Sequence, residues 1–307
     1  MNFKLTTLLA FCAALAVATL DAAPAEAATS KKPAAKRKAK PVQKVEVEDP
    51  DNLLLRSSAV VVQDQTTGAM LFEKNSDAVL PIASITKLMT AMVVLDAQLP
   101  LNEVLSIGAE DVDTLKGTAS RLKVGAQLPR EDMLLLALMA SENRAASALS
   151  RHYPGGAAAF VAAMNRKAEA IGLSDTRFSD PTGLTAANVS SARDLSRMVA
   201  ASSHYPLIRQ LSTTPNHKVV VAGRPLEFRN TNTLVRSQAA GWDIAVSKTG
   251  YIREAGKCLV MQAWLNDKPV VIVLLDSWGK LTRIGDANRI KRWIEHASAT
   301  AGRRSAG

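Results

Sequence analysis

The sequence predicts an α+β fold, an antiparallel sheet covered by helices. Two observations carry this. Strand-like runs lie at both ends of the folded stretch with helical periodicity between them, and no internal repeat is present. At the front, Ala59 to Gln63 and Met70 to Glu73 read as short strands joined across Gln65-Thr66-Thr67-Gly68, whose glycine suits a tight turn. Pro81 then opens a helix running to about Leu95, because Ile85, Leu88, Met89 and Met92 recur at helical spacing. Residues 101–130 are turn-rich, punctuated by Gly108, Gly117, Gly125 and Pro129. Arg130 to Met139 reads as a buried helix, since Leu134-Leu135-Leu136 is too apolar for a surface. Ser141-Glu142-Asn143 falls in the connection to a helix beginning near Arg144. A further helix spans Gly156 to about Ile171, with Phe160, Met164 and Ala168 on one face. Asp180-Pro181-Thr182-Gly183-Leu184 is a turn by composition, and short helices follow at Ser191 to Val199 and Pro206 to Leu211. Strands return at His217 to Val221 and Pro225 to Arg229, flanking Ala222-Gly223-Arg224. Three more cover Ile244 to Thr249, Lys257 to Trp264 and Val270 to Asp276. Last comes an amphipathic helix from about Thr282 to Ala297, with Ile284, Ala287, Ile290 and Ile294 on one side.

Ahead of the folded stretch lie two segments of different character. Lys4, the apolar run Leu8 to Leu20 and Ala25-Glu26-Ala27 have the form of a secretory signal peptide over residues 1–27, with cleavage expected before Ala28. Residues 28–50 carry seven basic residues against three acidic ones and no apolar periodicity. They read as a disordered basic linker, a solvated spacer with at most weak attraction to a membrane or an acidic wall polymer. The expected domain organisation is therefore leader 1–27, linker 28–50, a catalytic domain over 51–300 and a tail at 301–307. With 47% hydrophobic and 21% charged residues the chain has the composition of a soluble globular protein, and 307 residues can bury a sizeable core. The net charge of +10 resides partly in the linker; no groove signature of interleaved aromatic and basic residues points to nucleic acid. Removing the leader leaves one cysteine, Cys258, in the apolar run Cys258-Leu259-Val260-Met261, where it reads as a small core residue. His152, His204, His217 and His296 show no metal-ligand spacing, so neither a metal nor another cofactor is expected.

Chemistry concentrates in three short motifs. Ser84 and Lys87 are three apart, which on a helix places both side chains on one face, one turn apart. A serine hydroxyl needs a base to become a nucleophile, and a lysine kept neutral by burial or by a second cation can be that base. Ser84 in the first turn would also feel the positive end of the helix, where an oxyanion would form. Ser141-Glu142-Asn143 has the form S-x-N after an apolar helix. Lys248-Thr249-Gly250 has the form K-T-G at the end of a strand. The order S-x-x-K, S-x-N, K-T-G is that of the active-site serine enzymes that react with penicillin.

At these residues the sequence resembles the serine D,D-peptidases of the low-molecular-mass penicillin-binding protein group. Ile82 to Met92, Ser141 to Ala146 and Ser247 to Tyr251 carry the resemblance, with lesser matches at Asp180 to Leu184 and Asn230-Thr231-Asn232. It covers residues from about 55 to 297. It implies helices on both faces of the sheet and an all-helical subdomain at about 100–215. The 57 residues after Gly250 leave no room for a C-terminal β domain or an anchoring helix. The glutamate at the centre of Ser141-Glu142-Asn143 is similar to the endopeptidase branch, where carboxypeptidase relatives usually show glycine.

By that resemblance Ser84 attacks a D-alanyl carbonyl, Lys87 accepts its proton and Ser141 relays a proton to the leaving amine. Asn143 would hold the substrate amide and Lys87. Lys248 and Thr249 would bind the neighbouring carboxylate, Lys248 also depressing the pKa of Lys87. Gly250 would let the substrate approach the strand, and the backbone N–H groups of Ser84 and Tyr251 would form the oxyanion hole. The implied partners are peptide cross-links of peptidoglycan and β-lactams as covalent ligands, and the implied location is the periplasm. A D-alanyl-D-alanine carboxypeptidase, a serine β-lactamase and a non-catalytic wall-binding module are the alternatives. No Glu-x-x-Leu-Asn stretch of the kind that deacylates class A β-lactamases lies between Ser141 and Lys248. Intact motifs argue against a module without chemistry.

Overall fold

The computed structural model describes residues 53–237 and 241–305; residues 1–52, with the expected leader and linker, residues 238–240 and the last two residues lie outside them. Two strands open the folded part, β1 (Ser57–Asp64) and β2 (Met70–Lys74), followed by the two-residue β3 (Leu80–Pro81). A 3₁₀ turn, Ala83–Ile85, leads into α1 (Thr86–Asp96). Next come β4 (Val104–Ser106), a second 3₁₀ turn at Ala109–Asp111, β5 (Gln127–Pro129) and α2 (Arg130–Met139). The helical region continues with α3 (Asn143–Arg151), α4 (Gly156–Ala170), β6 (Val189–Ser190), α5 (Ala192–Ser202) and α6 (Pro206–Ser212). The chain closes with the hairpin β7 (Asn216–Val221) and β8 (Arg224–Arg229), the single turn α7 (Thr233–Arg236), β9 (Asp243–Ile252), β10 (Gly256–Leu265), β11 (Lys268–Ser277) and α8 (Thr282–Ser305).

The principal sheet runs β2-β1-β11-β10-β9, every pairing antiparallel, so chain-terminal strands meet at its centre. Alternation along these strands feeds two cores. Ala59, Val61, Val260, Val271 and Val273 face the helical region with α1, α2 and α5. Val60, Val62, Leu259, Met261, Ile272 and Leu274 face α8 through Ala287 and Ile290. Both faces are thus covered, as a sheet with two apolar faces requires. A buried carboxylate ties α8 to the sheet: Asp286 accepts from Arg56 N, Ser57 N at 2.8 Å and Ser57 Oγ at 2.6 Å, and pairs with Arg289.

The principal elements lie where sequence patterning puts them, with four differences. The helix expected from Pro81 starts as the 3₁₀ turn and becomes α-helical only at Thr86, because Ala83 takes a left-handed φ of +48°. The expected all-helical subdomain also carries the small ladder β4–β5, and β6 pairs with β3. These strands are two or three residues long, too short for a period-two signal. The turn α7 is likewise too short for a helical one. The final helix continues eight residues past Ala297, to Ser305, and so into the expected tail.

Candidate active site

Three backbones converge on Ser84 at distances that only glycine permits. A Cβ on Gly250 would stand 2.9 Å from Ile82 O and 3.2 Å from Ser84 N. One on Gly183, whose φ is +80°, would run into the Ala83 carbonyl. The 3₁₀ turn is itself fastened: Thr86 Oγ1 donates to Ala83 O at 2.7 Å, Asn188 Nδ2 donates to Thr86 Oγ1 at 3.0 Å, and Ile82 N donates to Asn188 O. Ser84 therefore projects from a rigid corner between the sheet edge, β9, and the helical region.

Lys87, one turn on, is wholly buried. Its Nζ donates to Ser84 Oγ at 2.8 Å, Asn143 Oδ1 at 2.7 Å and Thr182 O at 2.6 Å. An ammonium has three protons and meets three acceptors. A neutral amine has two, and only the hydroxyl of Ser84 can donate back. The carbonyls of Asn143 and Thr182 thus take the two N–H bonds and leave the lone pair facing Ser84. Burial pulls the Lys87 pKa down from 10.5 to about 7, while the charges of Asp180 and Glu142 act upward. Of the two expected causes, burial and a second cation, burial is the one that acts on Lys87, and the repulsion between the two amines falls on Lys248. Burial, Lys87 and Arg283 hold Lys248 well below the usual lysine range.

The remaining expected residues join the same cleft. Ser141 sits in a left-handed conformation, φ +59°, just after α2 and accepts a hydrogen bond from Lys248 Nζ at 2.9 Å. Asn143 opens α3 and turns its amide nitrogen to Thr118 Oγ1, 3.0 Å away. Thr249 Oγ1 donates to Thr231 Oγ1 at 2.6 Å. Thr231 N in turn donates to Met139 O, so Asn230-Thr231-Asn232 ties the end of α2 to β9. Tyr251 follows Gly250 on the edge strand with its side chain 60% exposed, and Lys257 Nζ lies 4.1 Å from its ring centroid. Ser84, Lys87, Ser141, Asn143, Lys248, Thr249 and Gly250 are brought together, with Tyr251 beside them.

Two contributors were given no role from sequence. Asp180 builds the loop that presents Thr182 O: its carboxylate accepts from Thr182 N, Gly183 N at 2.6 Å and Thr185 N at 3.0 Å. An aspartate opening a Pro-Thr-Gly turn was the available signal. Arg283, in the first turn of α8, donates through Nη1 to Gly250 O and Cys258 O, both at 3.1 Å. Its signal was a cation where a helix start favours acids. Cys258 itself is buried, its thiol pushed up to about 11 by desolvation, and belongs to the core. Among the described residues no group of three His, Cys, Asp or Glu side chains could hold a metal, and no helix is long and apolar enough to cross a membrane.

A serine hydrogen-bonded to a buried lysine, with a second lysine and an asparagine in one cleft at a sheet edge, defines an active-site serine hydrolase. The D-alanyl-D-alanine carboxypeptidase family matches residues 43–279, and the chain belongs to it. Within the wider group, the chain is 53% identical over 250 residues to a D-alanyl-D-alanine endopeptidase of Pseudomonas aeruginosa, covering 80% of each chain. It is 49% identical over 243 residues to one of Escherichia coli, covering 78% of each. Among solved structures it superposes on a Streptomyces DD-transpeptidase with a TM-score of 0.72 at 27% identity, covering 78% of this chain and 97% of that one. A Listeria monocytogenes penicillin-binding protein in an ampicillin-bound form gives 0.68 at 29% identity, covering 79% and 98%.

Proposed function

We propose that the chain is an exported serine D,D-endopeptidase that cleaves D-alanyl peptide cross-links in peptidoglycan through an acyl-enzyme on Ser84. The observation that carries this is the 2.8 Å contact between Ser84 Oγ and a buried Lys87 whose pKa falls to about 7. A base poised near neutrality takes a proton most effectively. As Ser84 Oγ attacks the D-alanine carbonyl carbon, its proton passes to Lys87 Nζ. The carbonyl oxygen becomes an oxyanion facing the backbone N–H groups of Ser84 and Tyr251. One such donor contributes about 10²–10³ in rate. Collapse breaks the peptide bond, and the leaving amine takes its proton from Lys87 through Ser141. Water then adds to the acyl carbon, the same groups act in reverse, and Ser84 is regenerated.

Lys248 and Thr249 receive the carboxylate beside the scissile bond, and Asn143 holds the acyl-side amide. The outer edge of β9 offers a substrate peptide the place of a sixth strand, with Gly250 keeping that edge free of a side chain. A β-lactam enters the first half of the same path and acylates Ser84. The endopeptidase relatives and the glutamate of Ser141-Glu142-Asn143 favour a cross-linked substrate over a linear one. Residues 1–27 act as the leader that delivers the enzyme to the periplasm, and 28–50 as a spacer with weak attraction to membrane or wall. N-terminal sequencing of exported protein should start at Ala28.

Incubation with a cross-linked muropeptide dimer and with a linear pentapeptide tests the substrate. Monomers released faster than free D-alanine agree with the endopeptidase; preferential release of free D-alanine makes the chain a carboxypeptidase. Rapid turnover of penicillin would make it a β-lactamase.

A further inference from the structure

The connection between the second 3₁₀ turn and β5 does more than join them. Its two ends are anchored in the helical region. Asp111 pairs with Arg151 of α3 at 2.8 Å, buried Leu122 packs in the core, and Arg144 Nη1 of α3 donates to Leu122 O at 2.9 Å. Between these anchors the segment leaves the helices and crosses to the sheet. Thr118 Oγ1 accepts from Asn143 Nδ2, on the helical wall of the cleft. Two residues earlier, Lys116 Nζ pairs with Glu254 Oε1 at 2.6 Å, in the β9–β10 turn four residues beyond Gly250 on the sheet wall. Further along, the guanidinium of Arg121 lies 3.8 Å over the Phe228 ring of β8 and donates to Glu227 O. Residues 116–118 therefore run from one wall of the cleft to the other.

The span is lightly held against the sheet wall. Lys116 and Glu254 side chains are 28% and 39% exposed, so their ion pair is a weak one in water. Gly117, between the two bridging residues, sits at φ +64° with open space around it. Asp113 ties the rest of the tip to itself by accepting from Leu115 N, Lys116 N and Thr118 N, so the tip can swing as a unit. One of the two N–H groups on the amide nitrogen of Asn143, the donor an acyl substrate must use, is already engaged by this tip. A small ligand can take the second N–H of Asn143 or displace Thr118, whose hydroxyl also donates to Asp113 Oδ2 at 2.6 Å. A substrate carrying a second peptide strand needs the span itself to lift.

We propose that residues 112–125 form a strap latched across the active-site cleft by the Lys116–Glu254 ion pair, and that its opening governs entry of a branched peptide substrate. The inference rests on the reading of the chain as a cross-link endopeptidase. A latch that favours the closed state lowers apparent affinity by the fraction of open molecules. Releasing an exposed ion pair should raise that fraction about threefold.

The test compares wild type with Lys116→Ala, Glu254→Ala and the charge-swapped double variant Lys116→Glu/Glu254→Lys. Cleavage of a purified cross-linked muropeptide dimer and acylation by benzylpenicillin are measured at low and high salt. The strap predicts that each single variant raises kcat/KM on the dimer about threefold and alters acylation by less than half as much. The swapped pair should return to the wild-type value. Salt should speed wild-type dimer cleavage toward the single variants and leave those unchanged. Unaltered or reduced dimer cleavage in the single variants, or equal gains on dimer and penicillin, overturns the strap. A wild type that is acylated yet does not cut the dimer overturns the endopeptidase reading, and the role given to the strap falls with it.

Discussion

Lys87 sets the pH at which the chemistry runs. With its pKa lowered to about 7 by burial, it is an ammonium below that value and can accept no proton. Acylation by a β-lactam should therefore rise with pH, reach half its plateau near pH 7 and level off above it. A flat profile from pH 5 to 9 would contradict Lys87 as the base. Glu142 and Asp180 act in the opposite sense, stabilising the ammonium. Glu142→Gln removes one of those charges, so the half-rise should move to lower pH; a move to higher pH would show that the charge acts otherwise. The nucleophile, both lysines and the asparagine were legible in the sequence because their motifs fix residue type and spacing locally. Arg283 was not, since it acts on Gly250 O, 33 residues away, and Asp180 was legible only as part of a turn, its effect on Lys87 passing through Thr182 O.

At the scale of elements, the site depends on how closely β9 and the 180–184 loop approach the 3₁₀ turn. Gly250→Ala adds a methyl 2.9 Å from Ile82 O, backbone that cannot give way, so the strand must retreat from Ser84. Displacement on the order of 1 Å costs about 10²-fold in rate. Acylation by benzylpenicillin should fall by about that factor with the fold intact by circular dichroism; a loss under threefold would mean that β9 is not held against the serine. The helices and long strands were legible because each has several residues of one period. The start of α1 was not, because the left-handed Ala83 has no periodic signal and lies against Gly183 and Gly250, both distant in sequence.

On the scale of the whole molecule, the two faces of the sheet are joined to their helices by different means. The helical region is joined by apolar packing and by neutral or lysine hydrogen bonds such as Ser247 N to Ser212 Oγ, whereas α8 is pinned by a carboxylate, Asp286, buried between Arg56, Ser57 and Arg289. Asp286→Ala leaves the Ser57 amide and hydroxyl and the Arg289 guanidinium without their acceptor. It should lower stability to denaturant by about 3 kcal/mol; a change below about 0.5 kcal/mol would show that α8 is held by its apolar face alone. The α+β class and the covering of both faces followed from strands at the chain's ends and from the family likeness. Sheet order, which depends on which long-range edges pair, has no local signal and emerged only in three dimensions.

All of this turns on one hydroxyl. Peptide-level mass spectrometry of benzylpenicillin-treated protein should find a single penicilloyl adduct on the peptide containing Ser84, and none in Ser84→Ala. An adduct on any other residue, or one that persists in Ser84→Ala, would contradict the account.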